Sequence, residues 1–177
     1  MTKIGYHTQE FRSDEQPLEK PIICNAKNAW LGIGYYFWLE LEYAHYWGED
    51  FKKGYRKDPG FYSIYKADIN TTNFINTVFD EEGYNFFKDS IEDSFKKLTR
   101  QNKEINLETV NRFLADNIWP SLNICGIIYD DKPSNPLKKR DRIYSQIPDL
   151  YYKKRIQVVS FKLENIHNFA LYLDEQS

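Results

Sequence analysis

The sequence predicts a single α+β domain on three observations. Its 177 residues are the length of one ordinary domain. The apolar pattern runs strand, strand–helix, strand, two helices, then three strands, unlike the regular alternation of parallel α/β folds. Aromatic residues make up 17% of the chain, enough to build a core from few side chains.

Each element has its own signature. KIGYHT, residues 3–8, is short and β-compatible, and the polar EFRSDEQPLEKP after it carries two prolines and predicts a loop. Residues 30–38 read as a strand rich in Tyr, Phe and Leu. It runs straight into a helix over 39–52, with Tyr43, Tyr46, Trp47 and Phe51 at helical spacing. GFYSIYKADI, residues 60–69, is a strand opened by Pro59-Gly60. From about 72 to 100 the period changes, and Phe87, Ile91, Phe95 and Leu98 mark one face of an amphipathic helix. Residues 107–119 repeat that signature through Val110, Phe113, Leu114 and Ile118 until Pro120 stops it. NICGIIYDD, residues 123–131, is a strand, and the polar KPSNPLKKRDR after it predicts an exposed loop. RIQVVSFK (155–162) and NIHNFALYL (165–173) close the chain as strands.

Several function classes lose support. The net charge of -2 leaves no basic excess to mark a nucleic-acid surface. There is no G-x-x-x-x-G-K-[ST] phosphate loop and no G-x-S-x-G nucleophile elbow. The GIG of residues 32–34 precedes strand-like residues, so it is no dinucleotide fingerprint of the Rossmann kind. Cys24 and Cys125 stand far apart, and His45 and His167 read as packing or surface residues, so no metal site is expected. The opening MTKIGYHTQEFR lacks the apolar centre of a secretion signal, and the longest apolar run falls short of the roughly 20 residues of a membrane helix. The expectation is a cytoplasmic protein with no membrane partner.

Three segments remain: His7 in the first strand, LGIGYYFW over 31–38, and RIQVVSFKLENI over 155–166. Singly, each has a structural explanation. In this order the chain resembles the ADP-ribosyltransferase superfamily, in the branch that includes poly(ADP-ribose) polymerases and small bacterial relatives. GYHT supplies the early-strand histidine, His7. LGIGYYF matches a Gly-x-Gly-x-Tyr-Phe strand with Tyr36 at the motif tyrosine; the helix after it supplies Ala44 and Trp47, and Gln157 takes the third position in the late strand. The match touches residues 3–48 and 155–172.

The resemblance implies a split β-sheet core with a helical insert at about 72–119, one domain over 1–177, and NAD as substrate without a metal. Tyr36 and Trp47 would clamp the cationic nicotinamide ring by stacking and cation–π attraction. Gly32 and Gly34 would let backbone approach the dinucleotide, with Ala44 beneath the ring. His7 would hold the adenosine-side ribose, Thr8 would line the nicotinamide subsite, and Gln157 would act on the ribose hydroxyls as nicotinamide departs. His7, Tyr36 and Gln157 are thus the expected catalytic set. Thr8 replaces the usual glycine, and Gln157 replaces a glutamate that supports polymer growth; an amide accepts a hydrogen bond but carries no charge. The resemblance then implies transfer of a single ADP-ribose unit to a protein or nucleic acid, in a setting such as a bacterial toxin or defence effector. A non-catalytic NAD or ADP-ribose sensor, an NAD glycohydrolase, an RNA 2′-phosphotransferase-like enzyme and a plain aromatic-cored structural domain are the alternatives. The helical insert is the place expected to recognise an acceptor.

Overall fold

β-branched and aromatic residues make the two strands that pair most completely. In the computed structural model, which describes residues 1–10, 17–26, 29–54, 62–131 and 153–174 (the side chains of 51–54 excepted), β1 (Thr2–Glu10) and β3 (Tyr62–Asn70) run antiparallel. They pair from Thr2↔Asn70 to Glu10↔Tyr62 without a break. The expected exposed loop at 132–142, the Pro59-Gly60 strand start and the Phe51 ring lie outside the described residues.

The remaining strands are β2 (Tyr35–Trp38), β4 (Phe74–Asn76), β5 (Gly126–Asp130), β6 (Ile156–Ser160) and β7 (Ile166–Asp174). They form one seven-stranded sheet in the order β4-β5-β6-β2-β1-β3-β7. All neighbours are antiparallel except β4 and β5. With α1 (Leu41–Gly54), α2 (Glu81–Arg100) and α3 (Leu107–Asn117), this is the α+β architecture expected. The start of the helical region is different: residues 74–76 are a strand. Three residues are too few for a period to register, and a parallel partner needs a long crossover, which α2 and α3 supply.

The sheet has one weak seam. β1 and β2 meet at a single register pair, Tyr6↔Trp38, whereas β2 pairs with β6 at four positions. The β1-β3-β7 half and the β4-β5-β6-β2 half therefore join almost at a point.

β2 is shorter than the sequence suggests because its first half turns. Gly32 has φ +90° and its N–H donates to the Ala29 carbonyl, and Gly34 only bridges to Cys24. α1 buries Tyr43 and Ala44 against Trp38, Tyr62 and Ile64, leaving Trp47 45% exposed. α2 and α3 are capped as their sequences allow: the Asp80 side chain accepts from the Glu82 N–H, and Asn106 and Thr109 form a reciprocal box. The buried face of α2 is Ser90, Ser94 and Leu98, while Ile91 and Phe95 are exposed, contrary to the expected Phe87–Ile91–Phe95–Leu98 stripe. The Ser94 hydroxyl donates to the Ser90 carbonyl, which satisfies it within the helix and lets a serine be buried. Among the described residues no helix is long and apolar enough to cross a membrane.

Gly34 is required by close packing. A Cβ there would lie 2.7 Å from Val159 Cγ1 and 2.8 Å from the Ser160 carbonyl oxygen, which is backbone and cannot swing aside. Gly34→Ala is expected to lower unfolding free energy by about 1–3 kcal/mol, read as a shift of the urea midpoint. Ile33→Ala at the neighbouring, 61% exposed position should stay within about 0.5 kcal/mol of wild type.

Candidate functional site

His7 stands where β1 leaves β2. Its Nδ1 lies 2.8 Å from the Tyr36 carbonyl oxygen, and its ring packs 5.5 Å from Phe37 and 6.1 Å from Phe169. A carbonyl only accepts, so Nδ1 carries the proton and Nε2 of the neutral ring is a bare acceptor. Burial holds the His7 pKa below its ordinary value, outweighing the Tyr36 carbonyl and the nearby Gln9 side chain, which both favour the charged form. Nε2 is buried and, among the described residues, makes no well-formed hydrogen bond, with the Gln9 side chain near the ring.

The Tyr36 side chain serves the turn before its own strand. Its hydroxyl donates to the Gly32 carbonyl at 2.7 Å and accepts from the Leu31 N–H at 3.3 Å. The ring packs on the Leu31–Trp119–Val159 cluster, and burial raises its pKa well above the ordinary phenol value. A tyrosine so committed does not face Trp47. The ring beside Trp47 is instead that of Trp38, 6.4 Å away. The expected Tyr36–Trp47 clamp thus gives way to a Trp38–Trp47 pair. The two glycines also have structural reasons: positive φ at Gly32 and the approach of β6 at Gly34.

Thr8 and Ala44 do come together. The Thr8 hydroxyl donates to the Ala44 carbonyl at 2.7 Å in a buried contact, fastening α1 to β1. Gln157 pairs with Trp38 across β2 and β6, is 7% exposed, and leaves its Oε1 buried without a partner. Trp38 in turn pairs with Tyr6, so Tyr6, Trp38 and Gln157 form a row on one face of the sheet. His7, one residue on from Tyr6, lies on the other face, against Phe37.

Segments far apart in sequence, 6–8, 36–47 and 157, therefore converge on β2. His7 and Gln157 flank that strand from opposite neighbours and opposite faces, and Tyr36 contributes its backbone more than its ring. Two residues here carry no role in the sequence reading. Trp38 pairs with Tyr6 and Gln157 and packs beside Tyr43 and Trp47, and Arg155 lays its guanidinium 5.4 Å from the Trp38 ring centroid and 5.8 Å from that of Tyr43. The signal for both was the two-residue period: Trp38 follows Tyr36 on its face, and Arg155 precedes Gln157 on its face.

Two surface cavities, of about 380 and 350 Å³, lie away from this cluster. The larger is walled by Leu31, Trp119, Ile124 and Phe161, and Gly32 is the single expected site residue on its lining. Among the described residues no group of three or more His, Cys, Asp or Glu side chains stands close enough to hold a metal ion. No protein family, curated protein or solved structure matches the chain with significance.

The lowered His7 pKa has a stability consequence. Above about pH 6.5 the ring is neutral folded and unfolded, and it contributes no pH dependence. As pH falls below that value the unfolded chain takes up a proton that the folded chain refuses, so stability is lost toward the lower folded pKa. The slope is at most about 1.4 kcal/mol per pH unit. Urea titrations at pH 7.5 and pH 5 should show a smaller acid loss for His7→Gln than for wild type.

Proposed function

We propose that the chain is an NAD-dependent mono-ADP-ribosyltransferase acting on a macromolecule, protein or nucleic acid. One observation carries this reading: the motif residues from three distant segments meet at β2, and two of them, His7 and Gln157, present buried acceptor atoms that make no well-formed hydrogen bond among the described residues. An unsatisfied buried acceptor costs about 1–3 kcal/mol, a burden that the hydroxyls of a ribose would relieve. We take the weak joint at Tyr6↔Trp38, within one seven-stranded sheet, as support for a split core of the kind that superfamily has. A dinucleotide that reaches both acceptors lies across this seam, where β1 and β2 part.

The chemistry follows from those atoms. When the glycosidic C–N bond breaks, nicotinamide leaves with the bonding pair as a neutral molecule, and positive charge grows on the ribose. An acceptor lone pair then forms the new bond to that carbon and gives up its proton. Gln157 Oε1 offers a carbonyl dipole to a ribose hydroxyl as the cation develops, and His7 Nε2 accepts from a hydroxyl of the second ribose. Trp47, 45% exposed beside Trp38, is the ring that would meet the pyridinium. Ala44 keeps the helix side of that place small.

A second reading has its own support. The Thr8 hydroxyl is spent on the Ala44 carbonyl where the superfamily's glycine leaves backbone open, and Gln157 lacks the charge that best stabilises a cation. A module that binds NAD or ADP-ribose without cleaving it fits both features.

The deciding experiment incubates purified protein with labelled NAD and cell lysate, following free nicotinamide and label on macromolecules. Transfer supports the enzyme; binding by calorimetry without nicotinamide release supports the sensor; absence of both overturns the reading. In the enzyme, Gln157→Glu is expected to raise nicotinamide release about tenfold or more, and unchanged turnover counts against a role for position 157. Thr8→Gly should raise affinity for NAD if the threonine narrows the nicotinamide subsite, which titration against wild type measures.

A further inference from the structure

We propose that Arg155 is a ligand-recognition residue of this site and binds an anionic oxygen of a ribose-bearing diphosphate, the central group of NAD and ADP-ribose. The inference rests on the NAD-binding reading and adds the group that selects the charged middle of the ligand. Arg155 lies two residues before Gln157, and its guanidinium covers Trp38, the register partner of Gln157. One arm is held: Nη2 donates to Asp131 Oδ2 at 3.1 Å. The backbone is held as well, since the Arg155 N–H donates to Asp130 Oδ1 and its carbonyl accepts from the Asp131 N–H. Nε, by contrast, is a buried N–H with no acceptor among the described residues, in a side chain only 14% exposed.

Three unpartnered buried atoms therefore surround β2: the acceptors His7 Nε2 and Gln157 Oε1, and the cationic donor Arg155 Nε. Two acceptors call for hydroxyl groups, and a guanidinium N–H calls for an anionic oxygen, for which its planar fork is well shaped. A nucleoside without phosphates, such as nicotinamide riboside, offers hydroxyls but no anionic oxygen for Arg155. A diphosphate flanked by two riboses would offer an anionic oxygen to Arg155 and a hydroxyl to the acceptor on each face. Asp131 competes with the ligand for the same cation, through the Nη2 arm alone.

The test titrates the full chain by calorimetry with ADP-ribose, nicotinamide riboside and inorganic pyrophosphate. Arg155→Gln should weaken ADP-ribose binding at least about tenfold while leaving nicotinamide riboside within about twofold. Asp131→Asn, which frees the guanidinium, should tighten ADP-ribose severalfold and steepen its dependence on salt. Equal loss of both ribose ligands in Arg155→Gln, or no loss, overturns the proposal while the NAD-binding function stands. If Arg155→Gln fails to fold, Asp131→Asn decides: weaker ADP-ribose binding there marks the ion pair as a strut and overturns the proposal. Pyrophosphate bound as tightly as ADP-ribose would overturn the requirement for ribose. Failure of wild type to bind either ADP-ribose or nicotinamide riboside removes the functional reading itself.

Discussion

The hydrogen bond from the His7 imidazole to the Tyr36 carbonyl is the stitch across an otherwise open seam. Backbone pairing between β1 and β2 is confined to Tyr6 and Trp38, and beyond that point the Tyr36 carbonyl would be buried without a ladder partner. The side chain supplies the missing donor. It must do so as a neutral ring, because an imidazolium desolvated between Phe37 and Phe169 would be far costlier than the bond is worth. The requirement for a neutral ring fixes the tautomer, and the tautomer leaves Nε2 as an acceptor. The same bond that joins the sheet thus prepares an unsatisfied atom beside the seam.

From that stitch the constraints spread through Trp38. It lies over the β1 side through Tyr6, over β6 through Gln157, against α1 through Tyr43 and Trp47, and under Arg155. The crowded aromatic stretch before and within α1 is mostly core, since Phe37, Trp38 and Tyr43 are all nearly inaccessible and each buried ring contributes on the order of 2–3 kcal/mol. Its glycines are there to turn the chain and to admit β6, not to expose backbone. Trp47 is less buried than Phe37, Trp38 and Tyr43, at 45% exposed.

The strand–helix order of 35–54, both long β segments and the closing pair of strands were legible in the sequence, because each carries a clean period or a clear cap. β4 was hidden: its three residues cannot show a period, and its parallel pairing depends on β5 fifty residues away. The pattern misled on α2, where apolar Ile91 and Phe95 face outward while serines are buried, because Ser94 satisfies its hydroxyl inside the helix and pattern reading counts only polarity. At the site, His7 and Gln157 were legible as motif positions. The structural work of Tyr36 was not, since a hydroxyl reaching back four residues to Gly32 leaves no trace in spacing. For Arg155 the two-residue period gave its face beside Gln157 and no more: nothing in RIQ says that the arginine will lie on a tryptophan more than a hundred residues earlier.

Arg155 also gives a physical reading of the amide at position 157. A carboxylate there would stand two residues from a guanidinium on the same face, already paired on one side with Asp131. It would draw the remaining N–H groups toward itself, gaining an ion pair and taking the cation away from any anionic ligand. An amide accepts a hydroxyl proton without competing for the arginine. In the proposed reading glutamine therefore divides the work, the carbonyl dipole for the ribose and the guanidinium for the diphosphate. The neutral side chain gives up part of the stabilisation of a developing ribosyl cation but keeps the grip on the ligand that carries it.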